Sequence, residues 1–333
     1  MVISRTPFRI SFFGGGTDYP AWYRKNGGTV LATTINKYCY ISARFLPPFF
    51  GNKYRIAWSK IENCNTISQI IHPAVREVIR FSKIPQGLEI HHDGDLPARS
   101  GLGSSSSFTV GLLHALYALR GNMPGKHQLA SESIYLEQKV LKDTVGSQDQ
   151  VLASYGGFHL ITFHKDGQFT LKPMTIPSKR IEELEDHLML FYTGVSRTAS
   201  DVAKSYVAGI GDRKKQLDSV SALVTDAYKL LTGRGDIRDF GKMLHEYWLQ
   251  KRSLSTLVST RTIDSIYEKA LSVGAIGGKL MGAGGGGFLL LFVPPARQAR
   301  VKKEFHKLIH VPFKFEHQGS QIIFYDQQED YQH

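Results

Sequence analysis

The chain has 333 residues, with 41 Lys plus Arg against 29 Asp plus Glu, a formal charge of +12 at pH 7. That length suits one large or two medium domains with a sizeable core, and 42% hydrophobic against 21% charged residues excludes a disordered or collagen-like chain. The basic balance favours an anionic partner, a condition that nucleic acid, acidic lipid and phosphorylated metabolites all satisfy. Cys39 and Cys64 are too few for a disulfide framework or a zinc cluster and fit a reducing compartment.

Residues 2–13 and 29–45 are rich in β-branched and aromatic side chains and are separated by turn-forming Lys25-Asn26-Gly27-Gly28, which predicts the start of a sheet. Arg5 and Arg9 interrupt the first segment before Gly14-Gly15-Gly16, so it lacks the apolar core of a signal peptide. A cytoplasmic protein is expected, and no apolar run approaches the roughly 20 residues that cross a bilayer. Residues 68–81 carry a helical stripe and 88–92 read as a strand. After an interruption at 97–107, residues 108–119 are apolar over more than one face, the mark of a buried helix ending near Gly121. A further helix is predicted over 125–142, with strands at 157–163, 169–172 and 188–192 and a boundary between halves at 173–180. The second half reads as helices at 198–231, broken near 209–211, and at 237–251, 262–273 and 296–309. Strands at 287–293 and 321–325 frame the last of these.

The sharpest local feature is Pro97-Ala98-Arg99-Ser100-Gly101-Leu102-Gly103-Ser104-Ser105-Ser106-Ser107, set between a strand and a strongly apolar helix. Glycines let backbone approach an anion, and free amides at a helix start favour negative charge, so the segment reads as a phosphate cradle. A flexible linker is the alternative, against which the immediate entry into a buried helix argues. No Gly-Lys-Ser/Thr ends it, so it is not a Walker A loop. A literal G-x-G-x-x-G at Gly282, Gly284 and Gly287 precedes a strand rather than opening a helix, which disfavours dinucleotide binding. It reads better as a glycine-rich turn packed against another anion-binding loop. His91-His92 before Asp93 lacks a metal-binding helix spacing and reads as a strand leading into the cradle.

Three segments in order resemble the motifs of the GHMP superfamily of small-molecule kinases. They are Thr6-Pro7-Phe8-Arg9 through Gly14-Gly15-Gly16-Thr17-Asp18-Tyr19, then 97–107, then Gly277-Gly278-Lys279-Leu280-Met281-Gly282-Ala283-Gly284-Gly285-Gly286-Gly287. The resemblance covers nearly the whole chain. It implies an α+β, two-domain GHMP kinase fold, with an N-terminal half (1–175) like ribosomal protein S5 domain 2 and a ferredoxin-like C-terminal half (176–333). The cofactors it implies are ATP and Mg²⁺. Pro97, Ser100, Gly101, Leu102, Gly103, Ser104, Ser105 and Ser106 would wrap the ATP phosphates, with Gly282, Ala283, Gly284 and Gly285 from the third motif. Ser105, or its neighbour Ser104, and Glu137 would hold the metal, Glu137 being chosen over Glu132 by its spacing of twelve positions from Asp149. Asp149 resembles the aspartate that faces the attacking sugar hydroxyl, and Arg9 the cation beside it; without the resemblance, Asp149 reads equally as a helix cap.

Gly15, Gly16, Thr17 and Asp18 match the family's sugar-binding loop, and Asp18 suits a polyol because a carboxylate accepts two hydrogen bonds. Galactokinases carry Glu-His at the positions of Gly15-Gly16. The Gly-Gly-Gly-Thr-Asp form resembles the heptose 7-phosphate kinases, which implies phosphorylation of the anomeric hydroxyl of D-glycero-D-manno-heptose 7-phosphate. Arg197 is the leading candidate for the distal phosphate, ahead of Lys37, Arg44 and Arg99. The expected partners are thus a sugar phosphate and ATP, with no membrane and no nucleic acid, since no aromatic-basic RNA signature is present; a homodimer is left open. The rival readings are a fucokinase or galactokinase-like kinase of an unphosphorylated sugar and, in a different class, a non-catalytic sugar and ATP sensor.

Overall fold

The computed structural model describes residues 1–195 and 199–327. The first part runs β1 (Val2–Phe13), α1 (Pro20–Asn26), β2 (Gly28–Phe45), β3 (Tyr54–Ala57), β4 (Ile61–Cys64), α2 (Pro73–Ser82) and β5 (Leu88–Gly94). It continues with α3 (Ser104–Leu119), α4 (Lys126–Tyr135), a π-turn (Leu136–Val140), α5 (Gln148–Tyr155), β6 (Phe158–Phe163), β7 (Phe169–Pro173) and α6 (Ser178–Asp186). The second part runs β8 (Leu188–Tyr192), α7 (Ala199–Val207), α8 (Lys214–Thr232), α9 (Ile237–Arg252), α10 (Arg261–Val273) and β9 (Gly277–Leu280). It ends with β10 (Phe288–Phe292), α11 (Pro295–Glu304), β11 (Ile309–Val311), β12 (Phe315–Glu316) and β13 (Gln321–Tyr325).

Among the described residues the strands form two sheets. The larger has the path β13-β1-β2-β5-β3-β4, with β6 and β12 also on β2 and β7 on β6. The smaller is antiparallel in the order β11-β8-β10-β9. Numbered from β8, that order is fourth-first-third-second, the ferredoxin-like arrangement. The chain then returns to the first sheet, where β12 and β13 pair with β2 and β1.

The long β1–β2 hairpin is covered by α3, whose residues are buried almost all round. Gly111 sits at the closest approach, where a Cβ would lie 2.8 Å from Thr6 Oγ1. Aromatic rings join the halves: Phe240 of α9 meets Phe12 and Phe13 edge-on at 5.3 and 5.1 Å between centroids. This places α9 across the end of β1, beside the glycine loop that follows it.

Several expected elements differ in extent. Pro73 starts α2 later than the stripe suggested, because its fixed φ suits the first helical position and the His72 ring accepts from the Val75 amide. The helix expected over 125–142 changes to the π-turn at Leu136, with the Leu141 amide on the Leu136 carbonyl. The first helix expected in the second half is α7 and α8, separated by a short 3₁₀ turn at Ile210–Arg213. The short elements α1, β3, β4, α6, β9, β11 and β12 carry too few periodic residues to be read from pattern alone. No helix among the described residues is long and apolar enough to cross a membrane.

Candidate active site

The three glycine-rich segments converge on one cavity of about 1030 Å³. Gly103 has a positive φ of 78° and precedes α3, so the amides of the first turn open toward the cavity, whose wall includes Ser104 and Ser105. Gly101 (φ +85°) and Gly282 (φ +70°) meet backbone to backbone, and a Cβ on Gly101 would lie 2.5 Å from the Met281 carbonyl. The third motif therefore braces the cradle rather than forming one of its own. The Phe288 amide donates to the Ser100 carbonyl at 3.2 Å, and a Cβ on Gly287 would lie 2.2 Å from that same oxygen.

Beside the cradle, the Arg9 guanidinium grips Asp149 through two bonds of 2.7 Å, from Nε to Oδ1 and from Nη2 to Oδ2. Its remaining terminal nitrogen donates to the Gly101 carbonyl at 2.6 Å. A fork-on-carboxylate pair of this kind fixes the orientation of both groups. It ties β1, the cradle and the start of α5 together.

Asp18 sits at the end of the glycine loop. Its Oδ1 accepts from the Gly16 amide at 3.0 Å and its Oδ2 from the Gln148 amide group at 2.8 Å. Burial, and secondarily the charge of Asp149, push its carboxyl above the usual range. Gly146 lies against the carboxylate so closely that no side chain fits there. Tyr206 and Tyr19, joined hydroxyl to hydroxyl at 3.2 Å, and Tyr247 complete this end of the cavity. The Tyr247 hydroxyl donates to the Gly15 carbonyl and stands 2.9 Å from where a Gly15 Cβ would be, so a larger residue at 15 requires the Tyr247 ring to shift.

Glu137 lies on the π-turn, which swings its side chain toward α3. Its Oε2 accepts from Ser106 Oγ at 2.8 Å and from the Gln150 amide, while its Oε1 is buried with no partner among the described residues. Burial pushes the carboxyl up to about 7, against the hydrogen bonds from Ser106 and Gln150. A buried carboxylate oxygen without a donor suits a cation. The described residues hold no cluster of three or more His, Cys, Asp or Glu for a metal. Magnesium needs none, since one carboxylate, a hydroxyl such as Ser105 and phosphate oxygens suffice. The donor set therefore fits Mg²⁺.

The far end of the cavity is apolar. Phe108 meets the His72 and His92 rings at 4.9 and 5.0 Å, and Trp58 meets His72 at 4.9 Å. The Trp58 indole is held by Glu62 at 2.8 Å. Burial lowers the pKa of both histidines, so they present uncharged rings. Such walls suit a planar base next to a phosphate cradle.

Of the residues singled out by sequence, Arg9, Gly15, Gly16, Asp18, Gly101, Gly103, Ser104, Ser105, Glu137, Asp149, Gly282 and Ala283 line this cavity together. Thr17 does not: its hydroxyl donates to the Gly14 and Thr29 carbonyls and closes the turn. Gly284 and Gly285 face Val258 instead, with the Gly285 amide on its carbonyl. Leu102 and Ser100 are buried behind the loop, Pro97 is exposed off the cavity, and Ser106 serves Glu137. Arg44 pairs with Glu89 at 2.5 Å, Lys37 stands off the cavity, and Arg99 lies at the apolar end. Arg197 lies outside the described residues.

Sequence reasoning missed Gln148, Gln150, Tyr247, Lys251 and Lys279. Leu244, Tyr247, Trp248 and Lys251 share one buried face of α9, and a lysine on such a stripe is the signal that could have been read. Lys279 is likewise a buried charge within an apolar strand.

A glycine-rich helix entrance, a buried carboxylate fit for magnesium and an arginine-held aspartate beside a polar pocket are the parts that a small-molecule kinase needs. The chain belongs to the GHMP kinases: it matches the family's N-terminal domain over residues 65–157 and its C-terminal domain over residues 226–310. It is 30% identical over 316 residues to the D-glycero-alpha-D-manno-heptose 7-phosphate kinase of Campylobacter jejuni, covering 91% of this chain and 93% of that protein. It is 26% identical to the bifunctional fucokinase/GDP-fucose pyrophosphorylase of Arabidopsis thaliana, covering 88% of this chain and 30% of that longer protein. The crystal structure of a D-glycero-D-manno-heptose 1-phosphate kinase from Bacteroides thetaiotaomicron shares the fold, with a TM-score of 0.80 at 23% identity over 98% of this chain and 100% of that one.

Proposed function

We propose that the protein is a cytoplasmic ATP- and Mg²⁺-dependent kinase that phosphorylates the anomeric hydroxyl of D-glycero-D-manno-heptose 7-phosphate. The product would be the 1,7-bisphosphate, an intermediate toward a nucleotide-activated heptose for surface polysaccharide. The observation that carries this reading is the placement of the Arg9–Asp149 pair between the cradle and the Asp18 pocket. A relative of matching length that acts on this sugar phosphate supports the choice of substrate.

In this reading Asp18 and the Gly15-Gly16 backbone orient the sugar hydroxyls. Asp149 accepts the proton of the anomeric hydroxyl as its oxygen bonds to the γ-phosphorus, and the bond from that phosphorus to the β,γ-bridging oxygen breaks, its electron pair leaving with ADP. Arg9 fixes Asp149 and the Gly101 carbonyl, so the base and the cradle share one anchor. Magnesium, held by Glu137, Ser105 and phosphate oxygens, would neutralise charge on the nucleotide. The apolar end takes the adenine.

The experiment is ³¹P NMR of a reaction of the protein with ATP, Mg²⁺ and the heptose 7-phosphate. A new anomeric phosphate resonance appearing with ADP is expected. Inorganic phosphate as the sole new product would reduce the activity to ATP hydrolysis and discard the reading.

A further inference from the structure

Among the described residues, three buried or nearly buried cations line the cavity, and their hydrogen bonds set them apart. Arg9 spends Nε and both terminal nitrogens on Asp149 and the Gly101 carbonyl. The Lys279 ammonium donates to the Ser11 and Phe12 carbonyls at 2.6 and 2.9 Å and lies 4.2 Å from the centroid of the Tyr247 ring. Its charge is consumed in joining β9 to β1. Lys251, only 6% exposed, has a single bond to protein among the described residues, from Nζ to the Gly282 carbonyl. An ammonium has three N–H donors, so two are left for the cavity.

The anchor places those donors. Gly282 packs on Gly101 of the cradle, and Lys251 lies within electrostatic range of both Arg9 and Asp18. Lys251 therefore stands where the cradle, the Arg9–Asp149 pair and the sugar pocket meet. A phosphate at the far end of the acceptor would lie away from this junction, whereas the phosphoryl group in transit must cross it.

Resting on the kinase reading above, we propose that Lys251 is a catalytic residue which donates hydrogen bonds to the oxygens of the γ-phosphoryl group during its transfer, on the side facing α9. It supplies charge and no proton: the hydroxyl proton goes to Asp149 and the leaving electron pair to ADP. Burial, then the like charge of Arg9, hold its pKa down to about 8, with Asp18 opposing. Lys251 in turn lowers the pKa of Lys279 on β9, and Tyr247 is its titratable neighbour on α9. An anion entering the junction relieves that cost, the arrangement expected of a preorganised site for developing negative charge.

The test compares wild type, Lys251→Met and Lys251→Arg, with the heptose 7-phosphate and a panel of other sugars as acceptors. Lys251→Met is expected to lower kcat on the order of 10²-fold, with the KM values for ATP and sugar within about threefold. It should also weaken binding of MgADP with aluminium fluoride and acceptor far more than binding of a non-hydrolysable ATP analogue. In wild type, kcat/KM should fall as pH rises through about 8, where the ammonium is lost. Lys251→Arg should restore part of the rate and move that limb upward, because a guanidinium stays charged.

A Lys251→Met enzyme within about threefold of wild-type kcat, or one altered only in sugar KM, would overturn the proposal. If that variant does not fold, an unmoved alkaline limb in Lys251→Arg does the same. Wild type that turns over no sugar in the panel would instead reject the kinase reading beneath it.

Discussion

Arg9 and Asp149, 140 positions apart in the chain, meet as a fork and a carboxylate at 2.7 Å, with the arginine's other nitrogen on the cradle carbonyl of Gly101. One guanidinium thereby sets the position of the base and of the loop that wraps the nucleotide. The pair lies at a mouth rather than in the core: the Arg9 side chain is 7% exposed and that of Asp149 21%. Its value is orientation more than stability, since desolvation offsets much of the attraction in a pair so placed.

Asp149→Asn retains an acceptor for Arg9 but removes the proton acceptor. We expect kcat to fall by roughly 10²- to 10⁴-fold with nucleotide binding within a few fold of wild type. Loss of the charge on one side of the pair should cost about 1–3 kcal/mol of stability. ADP release and thermal unfolding, measured on the same preparation, check both parts. Wild-type turnover in a folded variant would remove Asp149 from the chemistry.

Glu137 predicts a pH dependence with a definite sign. Its folded-state pKa is raised to about 7 from the ordinary 4.5, so between those pH values the metal-free native state binds a proton that the unfolded state has released. Stability of the metal-free protein should therefore decline as pH rises from about 5 to 7, and Mg²⁺ with nucleotide should restore it, because the metal binds the ionised form. Thermal unfolding scans across pH, with and without MgATP, measure this. In Glu137→Gln the decline should disappear together with the magnesium effect. An unchanged pH profile in that variant would show that another group carries the dependence.

The helix entrance at the serine-glycine loop was legible because its cause is local. Glycines at 101 and 103 and serines at 104–107 stand between a strand and an apolar helix, and the structure builds the helix entrance there. Asp18 and Asp149 carried no such local mark, and only the ordering of three motifs drew them together. Lys251 and Gln148 depend on contacts across the whole chain, so periodicity could at most flag the buried lysine on α9. Glycines 284 and 285 and Thr17 look like ligand-facing residues in sequence, yet their space is taken by Val258 and by the turn itself. The orientation of Glu137 rests on a π-turn, which helical spacing cannot reveal. The return of β12 and β13 to the first sheet was equally hidden, because strand pairing over such separations is set by tertiary contact.

The most direct measurement is ATP consumption, coupled to ADP detection, across D-glycero-D-manno-heptose 7-phosphate, mannose 6-phosphate, sedoheptulose 7-phosphate, fucose, galactose and mannose, with and without magnesium. We expect magnesium-dependent turnover selective for the heptose 7-phosphate. Preference for an unphosphorylated sugar would contradict the assigned substrate while keeping the kinase chemistry, and turnover of none with intact ATP binding would place the protein among sensors.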